Sequence, residues 1–231
     1  MEPRSQVLPP ELDGPRPCGV YDLSAVLDTL NLVNRVLETS PRGPIRRPTV
    51  GFDWGHVYVY ENLENVRIIT HKGRVVSSVA IYPGVTRTPR GSISVGGINS
   101  LVTHPDYRRR GLGAAVMKDA HEKMRSNGHY IGLLRTVIQD YYRKFGWENA
   151  GRDRNFVFDK GNVTLLPDPE GLEITENWRP HVAELVALHD REPMADSRTA
   201  ELFAVLVERR LQRLFVARRR GRLVAYVGVQ R

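Results

Sequence analysis

The run Val102-Thr103-His104-Pro105-Asp106-Tyr107-Arg108-Arg109-Arg110-Gly111-Leu112-Gly113 combines the parts of an anion site. An apolar, strand-like stretch ends at a proline. Three arginines follow, then a glycine pair that opens an amphipathic helix. The first N–H groups of a helix have no intrahelical partner and face outward, where they attract negative charge. Gly111 and Gly113 let a phosphate approach the main chain without a Cβ in the way. Arg108, Arg109 and Arg110 add positive charge at the same place. An arginine run alone is commonly a solvated turn; the glycines and helix behind it favour phosphate. A pyrophosphate-bearing ligand uses all of these features together.

Regular elements must hold this turn. Ile93–Thr103 reads as the strand that leads into it, with Gly96-Gly97 marking a bulge or a close backbone approach. Gly111–Asn127 reads as the helix that leaves it, with Leu112, Ala115, Val116, Ala120 and Met124 on one face and Gly128 as the stop. Upstream, Asn65–Thr70 and Arg74–Tyr82 form a hairpin about His71-Lys72-Gly73. Before that, Cys18–Tyr21 reads as a short strand. Asp22 reads as the cap of a helix carrying Leu23, Val26, Leu27, Leu30, Leu32 and Val33. Residues 40–51 read as a loop. Downstream, the pattern predicts a buried strand at Tyr130–Leu134 and a short helix over Ile138–Phe145 ending at Gly146. A returning strand runs from Trp147 through Asn155–Phe158. The class is α/β, with a mixed sheet.

The 231 residues are 41% hydrophobic and 26% charged, which suits one or two globular domains. No apolar run approaches the ~18 residues of a membrane span. Met1–Ser5 lack the apolar stretch of a secretory signal. The single cysteine, Cys18, excludes an intrachain disulfide framework and reads as a small core residue rather than a nucleophile. A cytoplasmic location without membrane association is expected. Net charge is +8, from 34 Lys and Arg against 26 Asp and Glu. The excess is concentrated at Arg108–Arg110 and between Arg209 and Arg222. No zinc-ligand spacing and no aromatic platform accompany it, so nucleic-acid binding is the disfavoured class and no metal is expected. Trp54 and His56 fit an acceptor-lining loop or plain surface packing equally well. Residues 1–16, rich in proline and charge, read as a disordered arm.

A second unit begins near residue 171. Leu172–Thr175 reads as a strand, Pro180–His189 and Thr199–Leu211 as helices, and Leu214–Ala217 with Leu223–Val229 as a hairpin. Arg218–Arg220 reads as its exposed turn. Lys72-Gly73-Arg74-Val75-Val76 matches Arg220-Gly221-Arg222-Leu223-Val224, so this unit reads as a copy of the first half of the earlier one. A piece of a longer tandem protein is the favoured explanation, and a half-domain cap the alternative.

Arg108-x-x-Gly111-x-Gly113, between a strand and a helix, resembles motif A of the GCN5-related N-acetyltransferases (GNATs). Tyr141-Tyr142-Arg143-Lys144-Phe145-Gly146-Trp147 is similar to a second family segment. The resemblance covers about residues 17–160. With Gly96-Gly97-Ile98 and the arginine run it is similar to the Eis-type tandem acetyltransferases. In those proteins one module holds the cofactor and a second shapes the acceptor pocket. The resemblance implies a GNAT domain over 17–165 and a partial second module over 171–231. It implies direct transfer of an acetyl group from acetyl-CoA to a primary amine on a small molecule or peptide. A non-catalytic acyl-CoA sensor is the alternative, and homo-oligomerisation is left open.

Within that frame the residues take roles. Main-chain N–H groups of Leu101, Val102 and Thr103, freed by strand splaying, hold the pantetheine and acetyl oxygen. Those of Arg109, Arg110, Gly111, Leu112, Gly113 and Ala114 grip the pyrophosphate, with Arg108 beside them. Tyr142 protonates the leaving thiolate; phenol and alkyl thiol have similar acidities, near ~10. The Eis-type resemblance adds Val137 and Ile138 as cofactor-flanking residues. The strand Ile93–Thr103 carries no carboxylate to act as base, and His104, in the turn, is not assigned to that role.

Overall fold

A computed structural model of the chain describes residues 9–37, 57–150, 161, 170–211 and 213–229. The fold divides into two compact units, Met1–Arg135 with Pro193–Ser197, and Thr136–Glu192 with Arg198–Arg231. Residues 40–51, Trp54, His56 and the strand expected over Asn155–Phe158 lie outside the described residues. No helix among the described residues is long and apolar enough to cross a membrane.

The first unit is a mixed sheet in the order β1 (Leu12–Pro17), β2 (Val66–His71), β3 (Arg74–Thr88), β4 (Gly91–Thr103) and β5 (Ile131–Leu133). The pairs are antiparallel up to β4, and β5 is parallel to β4. Helix α1 (Leu23–Leu37) covers one face. Its Val26, Leu30 and Val33 pack in one cluster with Val66, Ile68, Val75, Ala80 and Val102. Helix α2 (Leu112–Ser126) covers the other. Successive strand residues point to opposite faces, and Arg67, between Val66 and Ile68, forms an ion pair with Asp119 of α2. The two helices thus sandwich the sheet.

Several boundaries differ from the sequence reading. Residues 12–16, read as part of a disordered arm, lie in the edge strand β1. Prolines are tolerated at a sheet edge, where no ladder donor is required of them. Arg16 braces the strand by ion pairs to Asp13 (2.7 Å) and Asp22 (2.6 Å). No strand forms over Cys18–Tyr21. A short 3-10 turn, Val20–Asp22, precedes α1, and Asp22 closes it by accepting from the Gly19 amide (2.8 Å). Strand β3 runs past Pro83 to Thr88, because β2 pairs with it only as far as Ala80 and leaves Pro83 on an open edge. Farther out that edge takes β7 (Ala195–Asp196) opposite Thr86 and Arg87. Strand β5, expected to be buried, is largely exposed among the described residues.

The bulge in β4 is not at its glycine pair. Gly96 and Gly97 pair regularly with Pro83 and Tyr82, whereas Ser100 and Leu101 together oppose Val79. Gly96 instead serves close approach. A Cβ there would lie 3.0 Å from Met124 Cγ and 3.1 Å from His129 Cδ2.

The second unit has a three-stranded antiparallel sheet, β6 (Glu173–Thr175), β8 (Arg213–Arg219) and β9 (Arg222–Val229), in the order β6-β8-β9. Helix α3 (Gln139–Arg143) opens the unit. Helices α4 (Val182–His189) and α5 (Ala200–Arg210) pack together, and their Leu185, Phe203 and Val207 bury Leu214, Val216 and Leu223. Thr199 caps α5 by accepting from the Leu202 amide (3.1 Å). The hairpin turn is Arg220-Gly221. Arg218, read as part of an exposed turn, instead ties the hairpin to Glu184 of α4 (3.2 Å).

Gly96→Val must push α2 away from the sheet. We expect a loss of about 1–3 kcal/mol, the usual range for overpacking, read from the urea midpoint; an unchanged midpoint would contradict the close packing described.

Candidate functional site

Strand β4 pairs with β3 along its length but with β5 only over Val95–Gly97. From Ile98 to Thr103 its second edge lies beyond that pairing. Alternation along the strand then decides which amides are available. The His104 amide donates to the Val76 carbonyl (2.8 Å), so Val102, in register with Ser78, also turns its backbone groups toward β3. The amides of Leu101 and Thr103 point the other way, to the open edge. Of the three amides read from sequence, two therefore face the opening, and that of Val102 belongs to the ladder. Ser77 Oγ fixes the strand end, donating to the Val102 carbonyl (2.9 Å) and lying 3.0 Å from Thr103 Oγ1.

The chain then turns through a 3-10 segment, Pro105–Tyr107, into the arginines. Arg109 (φ 60°) and Gly111 (φ 79°) are both left-handed. Left-handed residues so spaced curl successive N–H groups into an anion-sized concavity. Gly111 is the N-cap of α2, and the first intrahelical bond is from Ala115 N–H to its carbonyl (3.0 Å). The amides of Leu112, Gly113 and Ala114 therefore form the open first turn. The Leu112 side chain points the opposite way, into the core.

The turn is pinned from beneath. His104 is buried, and its Nε2 accepts from the Arg74 guanidinium (2.6 Å). Its Nδ1 lies 3.3 Å from the Asp106 amide and 3.7 Å from the Asp106 carboxylate. Burial, and then the charge of Arg74, hold the His104 pKa below the ordinary histidine value. His104 is thus a neutral structural pin. Tyr107 Oη bonds His71 Nδ1 (2.6 Å), and the Arg110 guanidinium lies over the Tyr107 ring at 5.1 Å. Arg108 Nε donates to the Thr103 carbonyl (3.3 Å). Arg74, Ser77 and Tyr107 carry no motif and were not singled out from sequence; only pairing register reveals them. Cys18 is buried and its thiol is pushed up to about 11, chiefly by burial.

Val137, Ile138 and Tyr142 belong to the second unit. Thr136 Oγ1 accepts from the Ile138 amide (3.1 Å), a turn that leaves Val137 fully exposed and Ile138 more than half exposed. Tyr142 lies in α3, half-buried, with the Tyr141 ring packed edge-on at 5.2 Å. Tyr141 in turn packs on Phe145. The Tyr142 carbonyl accepts from Phe145 (2.9 Å), and Gly146 (φ 84°) ends the turn. Burial, then Tyr141, raises the Tyr142 pKa.

A family model for the acetyltransferase (GNAT) domain matches residues 25–150. A glucosamine 6-phosphate N-acetyltransferase of Trypanosoma brucei brucei is 38% identical over 79 residues, 32% of this chain and 52% of that protein. The chain thus spans about half the length of that curated relative. Two solved structures share the fold. A GCN5-related N-acetyltransferase from Anabaena variabilis superposes with a TM-score of 0.64 at 16% identity, over 91% of this chain and 52% of that one. Another from Kribbella flavida gives 0.60 at 17% identity, over 90% and 55%.

Because His104 is held neutral in the fold, its contribution to stability is present above the unfolded value near ~6.5 and is lost as pH falls below it toward the lower folded pKa. We expect the unfolding free energy of His104→Gln to decline less steeply than that of the parent as pH drops below about 6.5. Equal slopes would show that the ring is not held neutral.

Proposed function

The chain belongs to the GNAT acetyltransferase family, and from that premise we propose that it transfers an acetyl group from acetyl-CoA to a primary amine. The observation that carries the proposal is the continuity of β4 with the arginine–glycine turn. Beyond Gly97 the strand leaves β5, presents the Leu101 and Thr103 amides, and runs directly into the amides of Arg109 to Ala114. Donors for a thioester carbonyl and donors for a pyrophosphate therefore lie on one stretch of main chain.

The roles follow. Leu101 and Thr103 hold the pantetheine and polarise the acetyl oxygen as negative charge develops on it. Arg109, Arg110, Gly111, Leu112, Gly113 and Ala114 offer N–H groups to the pyrophosphate, and Arg108 and Arg110 add charge held in place. Val137 and Ile138 flank the cofactor. The neutral amine nitrogen attacks the acetyl carbon, the C–S bond breaks, and Tyr142 gives its proton to the departing sulfur; the proton shed by the nitrogen as the amide forms passes to solvent, from which the Tyr142 phenolate is reprotonated. The raised pKa of Tyr142 keeps the phenol protonated, the form a general acid requires.

The second unit is read as a copy of the opening half of the first. Lys72-Gly73 (φ 48°, 75°) and Arg220-Gly221 (φ 50°, 75°) make the same turn. A bulge follows each at the same distance, at Val76 and at Val224. In an Eis-type tandem arrangement this unit would help shape the acceptor site. The Trypanosoma relative makes glucosamine 6-phosphate a reasonable amine to test beside polyamines and lysine peptides.

Calorimetry with acetyl-CoA, and release of free CoA with glucosamine 6-phosphate, spermidine or a lysine peptide, test the assignment. Tyr142→Phe is expected to keep the acetyl-CoA Kd within about threefold while kcat falls by roughly 10²–10⁴, the range for a lost general acid. Binding without turnover in the parent chain would make the protein an acyl-CoA sensor. No acetyl-CoA binding at all would remove the proposal.

A further inference from the structure

An open cavity of about 220 Å³ lies beside the arginine–glycine turn, between the start of β1, the β2–β3 hairpin and the segment 106–110. Strands β1, β2 and β3 lie on one side of β4, whereas its open edge faces the other, where β5 departs. The Leu101 and Thr103 amides therefore turn away from this cavity. Of its charged residues only Arg110 has a part in acetyl transfer as read above.

Separate segments build the walls. The Leu12 amide donates to the Pro9 carbonyl (2.9 Å), and Leu12 pairs with His71, which seats the turn before β1 against the hairpin. That turn brings Glu11 to the cavity, while Pro9 and Leu12 give it an apolar wall. Arg74 enters from the hairpin and Arg110 from the arginine turn. Buried His104 aims Arg74 by accepting from its Nη2 (2.6 Å), and the other guanidinium nitrogens of Arg74 have no protein partner among the described residues. Arg110 lies over the Tyr107 ring (5.1 Å), which is itself fixed to His71 (2.6 Å). The Asp106 carboxylate adds a second negative charge to the lining.

Arginines and carboxylates that share a small cavity ordinarily bond to each other. Here neither Glu11 nor Arg110 has an ion-pair partner among the described residues, and Arg74 is bonded to a neutral imidazole. Charges of both signs are thus held apart across one cavity by other contacts. They can meet a ligand without first breaking a bond between themselves. An anion alone would answer Arg74 and Arg110 but face Glu11 and Asp106, and a cation alone would meet the reverse. A molecule carrying both charges close together answers every wall. The volume lies below the roughly 300 Å³ at which pockets for drug-sized ligands begin, so that molecule is small.

We propose that this cavity binds a small aliphatic α-amino acid as its zwitterion. The carboxylate lies between Arg74 and Arg110, the ammonium turns to Glu11 and Asp106, and the side chain rests on Pro9 and Leu12.

Titration of the 15N-labelled full chain with L-valine, followed at the His71 and Tyr107 amides, tests the site. The shifts should saturate with a Kd at or below about 1 mM. Isovalerate lacks the ammonium and isobutylamine lacks the carboxylate. Each should bind at least about tenfold more weakly, as expected for one lost charge-assisted hydrogen bond. Glu11→Gln should weaken L-valine by a similar factor without weakening isovalerate. Glu11 is exposed, so Tm should stay at the parent value. Absence of saturable shifts with L-valine overturns the proposal. So does either single-charge analogue binding as tightly as L-valine, which would mark a site for one charge alone. The comparison of analogues on the parent chain decides the matter even if Glu11→Gln does not fold. None of these measurements involves acetyl-CoA, so failure here leaves the transferase reading standing.

Discussion

Strand β4 has a neighbour along all of one edge and along only the first part of the other, and the first unit is arranged around that inequality. Buried backbone groups must be paired, and groups without a strand partner must meet solvent or ligand. Between Val95 and Gly97 both edges are occupied. From Ile98 onward the ladder with β3 alone holds the strand, reinforced by Ser77 and by the His104 amide. The other edge can then remain open without loss of the strand. Helix α2 fits the same geometry. Its first turn rises from the end of β4, and Met124, near its far end, rests on Gly96. The helix runs back along the sheet, so its amino end must sit where the strand ends.

Charge in the turn is held rather than loosely solvated. Arg108 is bonded to the strand end and Arg110 lies on Tyr107. Tyr107 is bonded to His71, while Arg74 holds His104 on the other side of the hairpin turn. These arginines are exposed, and exposed charges are screened over about 8 Å at physiological salt. On the proposed reading they draw in and orient the pyrophosphate, and short-range binding falls to the main-chain amides, whose direction is set by the left-handed Arg109 and Gly111. The same division explains why His104 is unsuited to proton transfer: the Arg74 guanidinium occupies its lone pair.

Features fixed by one or two residues were legible in the sequence. Gly111 and Gly128 bracket α2, Thr199 caps α5, and the Lys-Gly and Arg-Gly turns are where their residues place them. Features fixed by pairing between distant segments were not. Leu12–Pro17 looks unstructured because prolines interrupt it, and only its place at a sheet edge makes them harmless. The bulge sits at Ser100, not at the more permissive Gly96-Gly97, because the registers of β3 and β4 on either side differ by one residue. Which amides face the opening depends on that register, so three candidates became two.

Comparison of the two hairpins separates scaffold from chemistry. Turn and bulge are repeated, yet the bulged residues differ in surroundings: Val76 is fully buried, whereas Val224 is 42% exposed. In the first unit helices cover both faces of the hairpin. In the second, the described core gathers α4 and α5 against the face carrying Leu214 and Val216. A glycine turn and a bulge are local solutions to joining twisted strands, and they recur wherever such strands are joined. An open strand edge that continues into an arginine–glycine helix start is not local. It needs a neighbour that departs, a serine that holds the strand end and a helix that returns along the sheet. Arg-x-x-Gly-x-Gly occurs once in the chain, at Arg108–Gly113, so on the proposed reading the donor site falls in the first unit.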